Sequence, residues 1–290
     1  MPDNNLSVGD RDSKVLVSVV MAVYFGVRYE YFVEAVDSIL KQDFTDFEFI
    51  IVADGDLTQE QMIFLRGLEE KYEVVTAVFL SKNIGPGAAR NHGIKRSRGE
   101  YIAIMDSDDI SFPNRLSTEV DYLNQNIDIS VVGSACEVID STGTMIGSRF
   151  LPENSAALKK YAAFFCPLNN PTVMGRAAVL KEFRYKEILR KGEDHRLWLE
   201  LLRAGHKLSN IGQPLLRFRA DAELYKRRVG LDKAMSDLTN RLYGLKISPL
   251  YMKPFVLIFA FVMFLVRFMP GKIVSVFSNS LFAFFLNRRN

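Results

Sequence analysis

The chain has 290 residues, 48% of them hydrophobic and 12% aromatic, which excludes disorder and suffices for one sizeable buried core. Two cysteines (Cys136, Cys166) and three scattered histidines exclude a disulfide framework, a cysteine-rich zinc cluster and a histidine-based metal site. The formal net charge of +3 hides an asymmetry. From Lys226 onward eleven Lys and Arg face two Asp and Glu, so a basic, apolar tail follows a mildly acidic body.

Met1 to Lys14 is polar and lacks the apolar core of a signal peptide, so export is not expected and a reducing compartment fits. Val15 to Val23 is a near-continuous β-branched run, as in a strand buried on both faces. Tyr29 to Lys41 repeats apolar residues at helical spacing, through Phe32, Val33, Val36, Ile39 and Leu40. Phe47 to Val52 reads as a second buried strand, ending at Ala53-Asp54-Gly55. Thr58 opens another helix, with Gln61 placed to complete a capping box. Val74 to Leu80 is the third strand, Gly87 to Arg96 the third helix and Tyr101 to Met105 the fourth strand. Strand and helix thus alternate four times, the pattern of an α/β layered sheet with helices on both sides. Ligands bind such sheets outside the carboxyl ends of the strands.

A helix is expected from about Pro113 to Asn126, a strand from Ile129 to Ile139 with a turn at Asp140 to Gly143, and a helix near Ser155 to Phe165. A further helix runs from about Asp194 to Ala204, carrying Leu197, Trp198, Leu201 and Leu202 on one face and ended by Gly205. Phe255 to Val266 is twelve apolar residues, short for a membrane-spanning helix of ~20 residues. Ile273 to Leu286 is a second apolar stretch. Rimmed by Lys246, Lys253, Arg267, Lys272, Arg288 and Arg289, the pair is expected to associate with an anionic membrane surface; the alternative is packing on the body or on a twin subunit.

Chemistry concentrates at Tyr101 to Asp109, where an apolar strand delivers Asp106, Asp108 and Asp109 to one sheet edge. Grouped carboxylates are costly unless a cation neutralises them, and Mg²⁺ commonly binds one or two carboxylates plus substrate phosphates. The plain alternative is an acidic turn capping the helix near Pro113. Tyr24 ends the first strand, where its ring could face a planar base or be an ordinary strand-end aromatic. Asp54 ends the second, where it could accept from a base N–H or merely serve an Asp-Gly turn. Asn83 to Gly93 (Asn-Ile-Gly-Pro-Gly-Ala-Ala-Arg-Asn-His-Gly) allows close backbone approach, and Arg90 offers a fork suited to phosphate. It is not the dinucleotide fingerprint, which requires a third glycine and a place after the first strand.

Taken together, these segments resemble the inverting family 2 glycosyltransferases of GT-A fold. The likeness runs from Val17-Ser-Val-Val-Met-Ala-Val-Tyr24 through Ser38 to Gln42, Ile51 to Gly55, the Asn83–Gly93 segment and Asp106-Ser-Asp-Asp109. It resumes at Asn170-Pro-Thr-Val-Met174 and Gly192 to Leu199, and fades near Arg219. It is strongest to bacterial enzymes of capsule, exopolysaccharide or lipopolysaccharide assembly. The resemblance implies a mixed central sheet flanked by helices over residues 15–220, after a polar tail (1–14) and before apolar C-terminal helices (221–290). It implies that Tyr24 and Asp54 hold the nucleotide base, that Arg90 lies near the diphosphate, and that Asp106 lies near ribose and diphosphate. Asp108 is implied as the metal ligand for Mn²⁺ or Mg²⁺, Asp109 as the following acidic substrate-binding residue, and Asp194 as the catalytic base. Many members carry Asp-Asp-Gly-Ser where this chain has Ala53-Asp54-Gly55-Asp56, a departure that bears on donor identity. The Gln-x-x-Arg-Trp motif of processive synthases is absent, which points to transfer of a single sugar.

The expected partners are a nucleotide-sugar donor (a UDP-sugar), a glycan or lipid-linked acceptor and the membrane surface through 246–290, with no nucleic acid. The expected location is the cytoplasmic face of the bacterial inner membrane. A sugar nucleotidyltransferase is the alternative enzyme, but Met21 to Gly26 supplies no Gly-rich activation loop. A catalytically inactive scaffold of a polysaccharide assembly complex is the non-enzymatic alternative.

Overall fold

The computed structural model describes residues 15–220 and 230–268. The N-terminal tail and the second apolar stretch, Ile273 to Leu286, lie outside the described residues.

The parallel half of the sheet is built from β1 (Val17–Val23), β2 (Phe47–Ala53), β3 (Val75–Phe79) and β4 (Tyr101–Asp106). β1 lies between β2 and β4, and β3 flanks β2, all in parallel register. The apolar runs of β1, β2 and β4 follow from burial on both faces. Along β1, Val19 and Met21 join one core cluster while Val20 joins the other. The first cluster is closed by α1 (Tyr29–Leu40), α2 (Gln59–Lys71) and α4 (Arg115–Gln125). The opposite face is covered by α3 (Pro86–Arg96), α5 (Ser155–Ala162), α6 (Ala177–Glu182) and α7 (Glu193–Ala204), around the fully buried Trp198. The capping box on α2 forms with both hydrogen bonds, Gln61 N to Thr58 Oγ1 and Thr58 N to Gln61 Oε1.

Helix α3 packs close on the sheet. A Cβ at Gly93 would stand 2.5 Å from Val20 Cγ1 and 3.3 Å from Val52 Cγ2. Gly93→Ala is therefore expected to destabilise the protein by about 1–3 kcal/mol despite alanine's better helix propensity, read as a lower urea midpoint. An unchanged midpoint would show that β1 yields to the added methyl.

Beyond β4 the sheet turns mixed. The order is β3-β2-β1-β4-β8-β6-β9-β5, with β5 (Ile110–Ser111), β6 (Ile129–Ile139), β8 (Met174–Arg176) and β9 (Lys207–Arg219), while β7 (Met145–Arg149) extends β6 as a hairpin. β8 runs antiparallel to β4 and β6, and β9 runs parallel to β6 and antiparallel to β5. The expected helix near Ser155 to Phe165 ends at Ala162, and the helix expected from Asp194 begins one residue earlier. Strand β9 is absent from the sequence expectations. Its polar residues, Gly212 and Pro214 obscure a strand pattern, and its register with β6 is bulged beside them.

One buried ion pair supports the edge of β4. Arg115, with none of its surface exposed, donates through Nε to Glu119 Oε1 at 3.1 Å and through Nη2 to the Ile104 carbonyl at 2.9 Å. Burial pushes the Glu119 carboxyl up to about 7 against the pull of Arg115.

Among the described residues two α-helices follow the sheet, α8 (Leu231–Gly244) and α9 (Lys253–Val266). Val256 of α9 shares a cluster with Ala163 and Phe164, and Phe259 meets both Phe164 and Phe165 edge-on. Val256, Ala260, Met263 and Val266 form the buried stripe of α9, whereas Phe255, Ile258, Phe261 and Leu265 are exposed. Among the described residues no helix is long and apolar enough to cross a membrane.

Candidate active site

Parallel register sets the site. Val23 lies opposite Ala53 and Ala22 opposite Asp106, so the residues that follow these strands emerge along one edge. A cleft of about 480 Å³ opens there. Of the residues implicated by sequence, Tyr24, Asp54, Arg90, Asp106, Asp108 and Asp194 all line it.

Asp109 does not line it. Only 1% exposed, its carboxylate turns inward, and Oδ1 accepts from the backbone N–H of Arg219 at 2.8 Å. Arg219, from the end of β9, braces the same turn, donating through Nε to the Asp108 carbonyl at 3.0 Å. Its guanidinium lies 4.0 Å from the centre of the Tyr31 ring and pairs with Glu34.

Asp54 has a structural task at the cleft wall. Oδ1 accepts from Ile84 N–H at 2.7 Å and Oδ2 from Gly85 N–H at 3.0 Å, which pins the loop leading into α3. A carboxylate has about four acceptor positions, so both oxygens keep capacity for a further donor.

Arg90 joins the two acidic sides of the cleft. Its Nη2 donates to Asp106 Oδ1 at 2.6 Å and its Nη1 to Glu193 Oε1 at 3.1 Å, with Tyr185 stacked 5.5 Å from the guanidinium carbon. Burial alone would lower its pKa, but Asp106, Tyr185 and Glu193 outweigh that and hold the proton more firmly. The fork expected to face phosphate is thus spent on carboxylates. Glu193 is itself pushed up to about 7, by burial and then by the adjacent Asp194, with Arg90 opposing.

Asp194 sits in the first turn of α7, reached through Gly192 in the left-handed region at φ 68°. Its Oδ1 accepts from His195 N–H at 2.7 Å, and the Cys166 thiol donates to Oδ2 at 3.7 Å. Burial and the nearness of Asp194 push the Cys166 thiol up, keeping it a donor. Sequence reasoning missed the contributions of Glu193 and Arg219, and of the basic residues Arg190, Lys191 and Lys233 that also line the cleft. The doublet Glu193-Asp194 was the available signal for Glu193; nothing local marks the others.

The acidic turn fits a divalent cation shared with a ligand. Asp106 and Asp108 both line the cleft there, and after burial their negative charge is what pushes the inward-turned Asp109 carboxyl well up. The described residues contain no group of three or more His, Cys, Asp or Glu able to hold a metal by themselves. A site of one or two carboxylates completed by phosphate oxygens suits Mg²⁺ or Mn²⁺.

Comparison with known proteins places the chain. Residues 18–189 match the family model described as glycosyl transferase family 2. The chain belongs to glycosyl transferase family 2. An uncharacterised glycosyltransferase of Methanocaldococcus jannaschii is 33% identical over 235 residues, covering 80% of each chain. An Escherichia coli UDP-Gal:alpha-D-GlcNAc-diphosphoundecaprenol beta-1,3-galactosyltransferase is 31% identical over 230 residues, 76% of this chain and 80% of that enzyme. Other curated relatives, uncharacterised glycosyltransferases of Rickettsia species, are longer, and the chain spans only 34–38% of their length. Among solved structures, a mannosyltransferase of Pyrobaculum calidifontis in complex with GDP-Man and Mn²⁺ superposes with a TM-score of 0.61 at 15% identity, over 94% of this chain and 75% of that one. The expected GT-A architecture, a mixed sheet with helices on both faces, is borne out in this family 2 chain.

Proposed function

We propose that the protein transfers one sugar from a nucleoside-diphosphate donor, UDP-linked, to a glycan or lipid-linked acceptor in surface polysaccharide synthesis. The observation that carries the reading is the Arg90 bridge, which fixes the strand end bearing Asp106 and Asp108 against the helix bearing Asp194 across one cleft. Glycosyl transfer needs such a divided site. The bond from the anomeric carbon to a diphosphate oxygen breaks while an acceptor oxygen bonds to that carbon, and the acceptor proton must go to a base.

In this reading Tyr24 supplies a face for the nucleotide base, and Asp54 shapes the wall beside it. Asp108 holds Mn²⁺ or Mg²⁺, with Asp106 next to it. A bound divalent cation supplies positive charge to the leaving diphosphate. Asp194 takes the acceptor proton, with Cys166 and the His195 amide fixing its carboxylate. Asp109 supports the turn from behind and does not touch substrate. The E. coli galactosyltransferase, named for a UDP-sugar and a lipid-diphosphate acceptor, supports the donor and acceptor classes. The exposed apolar face of α9 supports a place for 246–290 on the cytoplasmic membrane surface.

UDP titration tests the donor side. Affinity is expected to rise about tenfold or more when Mn²⁺ is added, and Asp108→Ala is expected to erase most of that gain. A variant that keeps it removes Asp108 from metal binding. No UDP binding under either condition would favour the scaffold reading. Screening nucleotide sugars for slow donor hydrolysis then identifies the sugar without knowledge of the acceptor.

A further inference from the structure

Five cations (Arg90, Arg190, Lys191, Arg219 and Lys233) and five carboxylates (Asp54, Asp106, Asp108, Glu193 and Asp194) line the cleft, and the cations differ in how far they are paired. Arg90 is tied to Asp106 and Glu193, and Arg219 to Glu34 and the Asp108 carbonyl. Arg190 and Lys191 also line the cleft, and among the described residues their side chains make no hydrogen bond or ion pair. Lys233 reaches in from α8. It pairs with Asp237 at 2.8 Å, but Asp237 is also shared by Arg241 and Arg267, so one carboxylate serves three cations.

Arg190, Lys191 and Lys233 line the same cleft as the proposed base. Lys191 immediately precedes Gly192, the residue that leads into α7, and Ser236 of α8 donates to the Lys191 carbonyl. A Cβ built on Gly192 would stand 3.8 Å from Lys233 Nζ, so the ammonium lies over the entry to the helix carrying Asp194. A base must be within reach of the acceptor hydroxyl, so groups around it face the acceptor. On the proposed function the leaving diphosphate would be held through a divalent cation at Asp108 and Asp106.

On the proposed glycosyl-transfer reading, we infer that Arg190, Lys191 and Lys233 form an anion subsite that holds a phosphate or diphosphate group of the acceptor beside Asp194. The acceptor class is then a phosphate-linked sugar, in preference to a neutral glycan. α8, which carries Lys233, packs along α9, whose exposed Phe255, Ile258, Phe261 and Leu265 lie on the same C-terminal helical layer. The subsite and this apolar face together suit an amphiphile with a charged head.

The same diphosphate chemistry could come from the donor, since Arg190 Cγ lies 3.7 Å from the Cβ position of Gly85 at the start of α3. Two titrations on the full chain separate the sources. Inorganic pyrophosphate, titrated in EDTA at constant ionic strength, is expected to bind the wild type, and Arg190→Gln/Lys191→Gln is expected to weaken that binding about tenfold. The charge-conserving pair Arg190→Lys/Lys191→Arg should restore most of it. UDP affinity in Mn²⁺ should stay within about twofold in both variants. Equal loss of UDP and pyrophosphate affinity would assign the cations to the donor and overturn the inference. Pyrophosphate that binds wild type and Gln variant alike, or fails to bind either, also overturns it. Failure of the transfer reading shows separately, as wild-type protein that binds no UDP and hydrolyses no nucleotide sugar.

Discussion

Asp194→Asn is expected to reduce sugar transfer about 10²–10⁴-fold while UDP affinity in Mn²⁺ stays near the wild-type value. The substitution keeps the shape of the side chain and an oxygen for the His195 amide, so the first turn of α7 has no cause to unwind. What it removes is the lone pair proposed to take the acceptor proton. The effect should fall on kcat, because the interaction is made in the transition state and not in the ground-state complex. Initial rates at saturating donor provide the test. Transfer within a few fold of wild type would exclude Asp194 as the base and direct attention to Glu193, whose carboxyl sits one residue away and is pushed up to about 7 by burial.

The second large effect lies in the core. Arg115→Met should cost about 3–5 kcal/mol, because it strands Glu119 in the interior without its cation. It also removes the donor to the Ile104 carbonyl, two residues before Asp106. The double variant Arg115→Met/Glu119→Leu should recover most of the loss, since an apolar pair of similar volume has no desolvation to offset. A pH series adds an independent signature. The folded pKa of Glu119 is raised from 4.5 to about 7, so its contribution to stability is fully present below 4.5 and is lost as pH rises through 7. Urea unfolding across that window should show a shallower slope in the double variant than in wild type, since Glu193 still titrates there but Glu119 does not. A single variant costing under about 1 kcal/mol, or a double variant no better than the single, would contradict this account.

The chain disclosed its parallel half more readily than its mixed half. β1, β2 and β4 are legible because burial on both faces demands unbroken β-branched and aliphatic runs. The cap at Thr58 and Gln61 is legible because both partners lie three residues apart. Arg115 and Glu119 are not, since an i,i+4 charge pair on a helix ordinarily marks a solvated face. β9 is hidden by Gly212 and Pro214, and with it Arg219, the residue that braces the acidic turn. The same contrast holds in the site. Tyr24, Asp54 and Asp106 follow from strand ends and a shared edge. The partnership of Arg90 with Glu193 spans 103 positions and leaves no local trace. Proximity also altered roles, turning Asp109 away from the cleft and committing Arg90 to carboxylates.

The Arg90 bridge has a consequence for how this protein can diverge. Asp106, Arg90 and Glu193 share two hydrogen-bonded ion pairs, so a change at any one alters the effect of a change at the others. Drift at these three positions must be concerted, and lineages should keep or lose them as a set. The side chains of Arg190 and Lys191, which make no hydrogen bond or ion pair among the described residues, carry no such constraint. On the proposed function, acceptor preference can therefore change a few residues from Asp194 without disturbing the Arg90 bridge.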